Sequence, residues 1–300
     1  MRIQQKVLKY TPMQKLEMLF VGLLAGIKAV SHTATTVRVD SALTTAFGLP
    51  GCADQSVIAD TLDAATEADV VALQEALAEI FGQYSQGRQH DFKQQYLVLD
   101  MDLSPLPESL RAEGSARGYM GRSRSKTGRK LVRVRVASTQ ETVWETIVTG
   151  RTVESLSVLQ EAITQTERLL GLDGKDEQTQ AKRTRTEIRL DSAWGSDKVI
   201  TWLLERGYQI TGKFKSAQRV QKLVRGISMW QPTSSAGREV ADIPQPVSGC
   251  RTRSSSMRCA PPRRNTREAT SMPWSSAVAP LFRCGRSSKS MTSGRAWKPI

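Results

Sequence analysis

The stretch TEIRLDSAWGSDKVITWLLERGYQITGKF, residues 186–214, decides the fold class because its hydrophobic period changes twice. Thr186 to Leu190 has the pattern of a short strand. Ser196 is then a suitable helix N-cap, the apolar residues after it recur at helical spacing, and Gly207 ends the helix. Tyr208 to Phe214 again has a strand pattern. Strands that alternate with helices predict a sheet with helices packed on it.

The residues before this stretch predict the rest of the sheet. Tyr96 to Leu103 is mostly apolar with acids at its end, Leu131 to Val136 alternates strictly, and Thr142 to Val148 has β-branched and aromatic content. Val153 to Leu170 returns to helical spacing, and Gly171 follows it as a C-cap. The predicted order is three strands, a helix, a strand, a helix and a strand, which suits an α/β fold with a mixed sheet.

The first part of the chain predicts a separate helical domain. Apolar residues recur at helical spacing from Thr11 to Phe81, and the Thr-Pro pair at the start is typical of a helix N-terminus. We predict a helical, DNA-binding-like domain over 1–82 and a polar linker over 83–95. Gln55 to Phe81 holds two short helical patterns, which suit a helix-turn-helix that reads DNA or a plain helical bundle. The bundle is the better supported of the two.

The net charge of +14 is concentrated in the last part of the sequence. Residues 249–300 hold nine Arg and two Lys against one acid, Glu268, and carry +10, whereas residues 1–248 carry only +4. Clustered basic residues predict a polyanionic partner, nucleic acid above all, because they displace its counterions.

The cysteines and the apolar runs favour an intracellular location. Cys52 is the only cysteine before the basic stretch, and the three later ones have neither zinc-site pairing nor the density of a secreted disulfide framework. The longest apolar run, Met18 to Ile27, is too short to cross a bilayer, and the polar N-terminus does not resemble a signal peptide. We expect a cytoplasmic, nucleoid-associated bacterial protein with no membrane partner.

Three Asp residues are candidate metal ligands. Side chains alternate along a strand, so Asp100 and Asp102 lie on the same face of the first predicted strand. Asp191 ends the strand before the last helix. Carboxylates at strand ends supply the oxygen ligands that Mg²⁺ prefers. The alternative is that these acids only terminate strands and accept hydrogen bonds from loop amides, and spacing alone favours that alternative.

Three phrases of the sequence together resemble the DDE-type transposases of bacterial insertion sequences. They are LVLDMDLSPLP at 97–107, GYMGRSRSKTGRKL at 118–131 and RLDSAWGSD at 189–197, and the last continues as WLLERGY at 202–208. The resemblance runs from about Tyr10 to about Val247. It implies a ribonuclease H-like core, which we place at 96–247.

The resemblance also implies a catalytic site. The first acid of the family falls on Asp102, with Ser104 beside it and Asp100 as the fallback, and the second falls on Asp191. These carboxylates and a later Glu would hold paired Mg²⁺ (or Mn²⁺) ions for attack on DNA phosphodiesters, first by water and then by a DNA 3′-hydroxyl. The implied partner is double-stranded DNA, both the ends of the element and the target DNA. Whether the protein forms a homodimer on this DNA is left open by the sequence. Asp197 is interpreted as a helix N-terminal acid.

A basic segment rich in glycine and serine lies beside the first predicted strand. Two hypotheses stay open for it, contact with DNA phosphates near the metal site or a solvated hairpin loop. The candidate DNA-binding residues are Arg117, Arg122, Arg124, Lys126, Arg129 and Lys130.

The third acid of the family is missing from the sequence. It belongs to a run of Tyr, two residues, Arg, three residues and Glu, and no such run follows Gly207. From about Ser248 onward the composition indicates that the sequence is translated in another reading frame. The codons support this, because those of Trp297 and Lys298 encode a Glu when they are read one base earlier. The neighbouring codons then allow the Tyr, Arg and Glu spacing of the family. A genuine basic, disordered extension over 248–300 is the alternative.

The sequence therefore predicts an insertion-sequence transposase, an enzyme by its resemblance, whose core is incomplete and which is inactive in this chain. One alternative is a non-catalytic DNA-binding protein derived from a transposase. The other is an unrelated metal-dependent nuclease, which would need a third acid such as Glu205 or Glu239.

Overall fold

The computed structural model describes residues 3, 9–120, 123–151 and 156–213, and after these residues 218, 225, 229, 231–232, 239–243, 257–259 and 281–284. The chain divides into two compact units, residues 1–80 and 81–300. Within the described residues, every helix is too short or too polar to cross a bilayer.

The first unit consists of helices. They are α1 (Pro12–Leu24), a 3₁₀ helix (Val30–Thr33), α2 (Ser41–Ala46), α3 (Gln55–Asp63) and α4 (Glu67–Tyr84), whose last turn extends into the second unit. α1 begins where the sequence predicts because Thr11 and Gln14 form a capping box. The Gln14 amide donates to the Thr11 hydroxyl (3.2 Å), and the Thr11 amide donates to the Gln14 side chain (2.9 Å).

The second unit is built on a mixed sheet. Its elements are β1 (Leu97–Pro107), β2 (Ala116–Met120), β3 (Ser123–Val136), β4 (Thr142–Thr149), α5 (Leu156–Leu170), α6 (Glu177–Thr184), β5 (Thr186–Leu190), a 3₁₀ helix (Ser192–Trp194), α7 (Asp197–Glu205) and β6 (Gln209–Lys213). Across the sheet β6, β5, β1 and β3 follow one another. β5 is parallel to β1 and β6 to β5, whereas β3 is antiparallel to β1. β2 and β4 both pair with β3, along successive parts of it. The α/β class and the mixed sheet are as predicted.

Four short strands follow β6. β7 (Gln231–Pro232), β8 (Glu239–Ile243) and β9 (Met257–Cys259) form a small sheet, and β10 (Leu281–Cys284) is antiparallel to β6. β9 and β10 lie within 248–300, where the sequence predicts a disordered tail, and the other residues of that range lie outside the described residues. Side-chain periodicity missed these strands because a strand can add to an open sheet edge through its backbone alone.

One face of the main sheet is apolar and the other is charged. Leu97, Leu99 and Met101 of β1 are buried in the core. α5 and α7 add residues at helical spacing to that core, Leu159, Ala162, Ile163 and Leu170 from α5 and Val199, Ile200, Leu203 and Leu204 from α7. The alternate residues of β1 lie on the opposite face. We call this opposite face the charged face, and it carries Asp100, Asp102, Arg133 and Arg189.

A buried carboxylate joins the helices to the sheet. Glu167 of α5, only 1% exposed, accepts hydrogen bonds from Arg206 (Nε, 3.0 Å) at the end of α7 and from the Tyr208 hydroxyl (2.7 Å) just before β6. Arg183 of α6 lies 3.7 Å from the same carboxylate. Burial, and then the neighbouring Glu167 carboxylate, raise the pKa of Tyr208 well above its usual value. Three helices and a strand therefore converge on one charge.

The segment predicted as a linker is bound to the second unit. The Ser85 hydroxyl and the Gly87 amide each donate to the Glu141 carboxylate at 3.0 Å. The Arg88 guanidinium donates to the carbonyl of Leu169 (2.8 Å). These hydrogen bonds hold the chain after α4 against the sheet and α5.

Candidate active site and basic surface

The two acids that the resemblance implies lie on neighbouring parallel strands. In the pairing of β1 with β5, Asp100 is opposite Arg189 and Met101 is opposite Leu190. Asp102 and Asp191 are the next residues of the two strands. β5 ends at Leu190 while β1 continues, so both acids lie where the parallel pairing stops.

Alternation places both acids on the charged face. The ion pair between Asp100 and Arg189 fixes the side on which these two side chains lie. Asp102 and Asp191 each follow two residues later, and the backbone of Asp191 is still extended (φ −74°, ψ 167°). Two strand-end carboxylates can share a cation only if their strands are neighbours, and this arrangement meets that condition.

Asp100 has a different role from Asp102. Both of its carboxylate oxygens accept hydrogen bonds from the Arg189 guanidinium, one at 2.6 Å through Nη2 and the other through Nε. The two side chains are 24% and 29% exposed, so solvent screens the pair only in part. Asp100 therefore serves as the ion-pair partner between β1 and β5, and the fallback assignment of catalysis to it loses support.

Asp102 is exposed and has a hydroxyl donor beside it. Its Oδ2 accepts a hydrogen bond from the Ser104 hydroxyl (2.9 Å). Arg133 of β3 lies directly opposite Asp102, and its guanidinium donates to Glu145 of β4 (2.9 Å). Sequence reasoning missed Arg133. The strict alternation after Leu131 was the signal that could have placed it on the same face as an acid of β1.

Asp191 is held by the turn that follows it. Its Oδ1 accepts a hydrogen bond from the Ser192 amide (2.6 Å), and it caps the 3₁₀ helix. Trp194, at the end of that helix, is fully buried in the core and donates its amide to the Asp191 carbonyl (3.1 Å). The hydrogen bond from the Ser192 amide agrees with the alternative that Asp191 only terminates the strand. The exposure of the Asp191 carboxylate agrees equally with a role as a metal ligand.

The donor set suits one hard cation better than two. Mg²⁺ takes oxygen ligands, often one or two carboxylates completed by water and substrate phosphates. Asp102 and Asp191 could supply those carboxylates. Among the described residues no cluster of three acidic, histidine or cysteine side chains forms a fuller ligand set. Glu205 is exposed at the end of α7, and the side chain of Glu239 lies outside the described residues.

The basic segment is a β-hairpin formed by β2 and β3, and both hypotheses for it, contact with DNA phosphates and a solvated hairpin, stay open. From residue 122 to residue 127 basic residues alternate with Ser and Thr, and the backbone pairing of β2 with β3 forms the strands. Arg117 and Lys126 are exposed and line a shallow depression with Pro107, Glu108, Ser109 and Thr127. Both are therefore available to a phosphate.

The other predicted DNA contacts divide into three groups. Arg129 is half-buried and donates to both oxygens of Glu108 (2.7 and 2.9 Å), which holds the pKa of that carboxyl below its usual value. Lys130 is 3% exposed, because it lies on the core side of β3, and it cannot reach DNA in this structure. Arg122 and the side chain of Arg124 lie outside the described residues.

The helix pair α3 and α4 lacks the charge of a DNA reader. From Asp54 to Tyr84 the chain holds seven Asp and Glu residues and neither Lys nor Arg. Phosphates would be repelled by such a surface, since nucleic-acid affinity depends on basic side chains. The helical-bundle interpretation of this region therefore remains the better one.

The chain has a structural likeness of low sequence identity to a known protein. No family model matches the chain, and no curated protein matches it. It is similar to a cryo-EM structure of the piggyBac transposase synaptic complex with hairpin DNA, at 12% sequence identity and a TM-score of 0.45, covering 96% of this chain. The chain spans only 56% of the length of that protein. The functional assignment therefore rests on the residues of this chain.

Proposed function

We propose that the chain is a DDE-type insertion-sequence transposase whose ribonuclease H-like core binds DNA and holds two of three catalytic acids. The observation that carries the proposal is the position of Asp102 and Asp191, side by side at the end of the parallel pairing of β1 and β5. The sequence phrases that resemble this family contain both residues. The succession of antiparallel strands, helices and parallel strands supports the proposed core.

The described side chains would orient the two carboxylates for the reaction. The Ser104 hydroxyl donates to Asp102 and the Ser192 amide to Asp191, so neither carboxylate rotates freely. A bound Mg²⁺ or Mn²⁺ would supply the Lewis acid for attack on a phosphodiester. Arg117 and Lys126 would hold the DNA backbone without reading its sequence.

Metal binding tests the site directly. Titration with Mn²⁺, followed by the loss of the free-ion electron paramagnetic resonance signal, should show weak binding that Asp102→Asn and Asp191→Asn each remove. Asp63→Asn, at an exposed acid of α3, is the matched control and should bind as the unsubstituted chain does. Binding that survives both active-site substitutions would contradict the proposed site.

DNA binding and cleavage test the proposed function as a whole. The purified chain should bind duplex DNA weakly, with steep salt dependence, and should not cut it, because two carboxylates hold a metal pair poorly. No binding at low salt would refute the proposal. Cleavage with Mg²⁺ or Mn²⁺ that Asp191→Ala abolishes would show instead that the third acid is present.

A non-catalytic DNA-binding protein derived from a transposase is the second candidate. The hydrogen bond from the Ser192 amide to Asp191 favours it, since a carboxylate that caps a turn needs no metal ion to account for its position. DNA affinity without any Mn²⁺ binding would select this function.

We also propose that the protein is cytoplasmic and that residues 248–300 are frameshifted. Stop codons that close the alternative frame within that range would rule out the frameshift.

A further inference from the structure

α4 exposes an apolar stripe along its length. Asp69 is its only buried residue among those described. Val70, Leu73, Leu77 and Ile80 are 49%, 49%, 56% and 55% exposed, although helix residues of these types normally face a core. Such a face on a folded unit marks an interaction surface.

The spacing of the stripe is that of a coiled coil. The four residues follow one another at intervals of three, four and three, which are the a and d positions of a heptad. The next place in the series is Tyr84, which is also exposed. A seam with this period is complementary to a second seam of the same kind, because each side chain fits between residues of the facing helix.

The charges on α4 select the partner. Gln74 and Ala76 flank the central part of the seam, whereas Glu75 and Glu79 lie on other faces of α4. Two such helices would therefore meet at the centre of the seam without contacts between like charges. The helix has acids and no Lys or Arg, which excludes DNA and an anionic membrane surface as its ligand. An uncharged, self-complementary seam remains.

We propose that α4 packs against α4 of a second copy of this chain, along Val70, Leu73, Leu77 and Ile80. The dimer forms through apolar burial and needs no DNA. The seam contains none of the residues of the proposed catalytic site, so the proposal stands or falls independently of the proposed function.

Sedimentation equilibrium of the nuclease-treated full chain at high salt tests the dimer. The mass should rise with concentration from 33.2 kDa toward twice that value. Leu77→Glu places a charge in the middle of the seam and should leave a monomer at every concentration. Ala78→Glu adds the same charge one residue away, on the outer side of α4, and should dimerise as the unsubstituted chain does. Both positions are exposed, so circular dichroism should be unchanged.

Three results would overturn the proposal. The unsubstituted chain could remain a monomer throughout the concentration series. Leu77→Glu could still dimerise, which would place the interface elsewhere. Both substitutions could abolish the dimer equally, which would show that added charge and not the seam is responsible.

Discussion

Two acids on the charged face, Asp100 and Asp102, differ in their hydrogen-bond partners and in their exposure, although their spacing along β1 makes them look equivalent. Asp100 and Asp102 share a strand face, yet Arg189 binds both oxygens of Asp100, whereas Asp102 accepts a hydrogen bond from the Ser104 hydroxyl and stays exposed. The sequence could not separate them, because the pairing of Asp100 with Arg189 depends on the register of β1 against β5. Lys130 lies on the core side because β3 begins at Ser123 and not at the predicted Leu131, so Lys130 continues the alternation of Val132 and Val134.

This difference predicts unequal effects of two similar substitutions on stability. Asp100→Asn leaves the Arg189 guanidinium without its carboxylate and should lower the free energy of unfolding by roughly 1.5–3 kcal/mol, the range for hydrogen bonds to charged groups. Asp102→Asn should change it by less than about 0.5 kcal/mol, as an exposed substitution does. Urea denaturation of the two variants measures both. Equal losses would contradict the distinct roles assigned to these acids.

At the scale of elements, strong hydrophobic patterns predicted well and polar ones did not. β5 has the predicted bounds, and α7 begins after Ser196 and ends before Gly207, whose φ of +97° suits a glycine. α6 was missed because it has no apolar face. Its support is the Asp176 cap, which accepts from the Thr179 amide (2.9 Å), and the bonds of Arg183 to loop carbonyls.

The length of β1 was underestimated for a related reason. The sequence predicts the strand only as far as Leu103, whereas β1 continues through Pro105 and Pro107, although proline cannot donate to a sheet. Both lie beyond the point where β5 stops, so the β5 side of β1 needs no donor there. The proposed site could thus be predicted only as two acids near strand ends, and the open side of β1 beside Asp102 had to come from the structure.

The convergence of α5, α7 and β6 on Glu167 predicts sensitivity to alkali. The folded state raises the pKa of Tyr208 above its value in the unfolded chain, which is near 10. The corresponding stability is fully present below that value and is lost as the pH rises through the folded pKa. Urea midpoints should therefore fall above about pH 10. Tyr208→Phe should be less stable at neutral pH and should lose less stability in alkali. Parallel midpoint curves for the two proteins would contradict this account.

At the scale of the whole molecule, basic and acidic residues are segregated. α3 and α4 carry acids alone, whereas Arg117 and Lys126 expose positive charge on the β2–β3 hairpin. Composition could predict a polyanionic partner. It could not tell which of the candidate cations are exposed, because Arg129 is paired with Glu108 and Lys130 is buried only in the folded chain.

This segregation predicts how salt should affect DNA binding. Arg117→Gln and Lys126→Gln should each weaken binding to any duplex sequence and reduce the slope of log affinity against log salt by about 1. Arg38→Gln is the control, because Arg38 is exposed in the first unit and paired with Asp54 (3.0 Å). Fluorescence anisotropy over a salt series measures the slopes. An effect of Arg38→Gln as large as that of the hairpin variants would count against the proposed surface.

The ion pair between Asp100 and Arg189 also bears on how the chain avoids misfolding. A slip of β5 by one residue along β1 would exchange its two faces, so that Arg189 would enter the apolar core while Ile188 and Leu190 met water. The misaligned strand would lose burial and the ion pair together. The strand register that excludes the wrong sheet is therefore the same one that brings Asp102 beside Asp191.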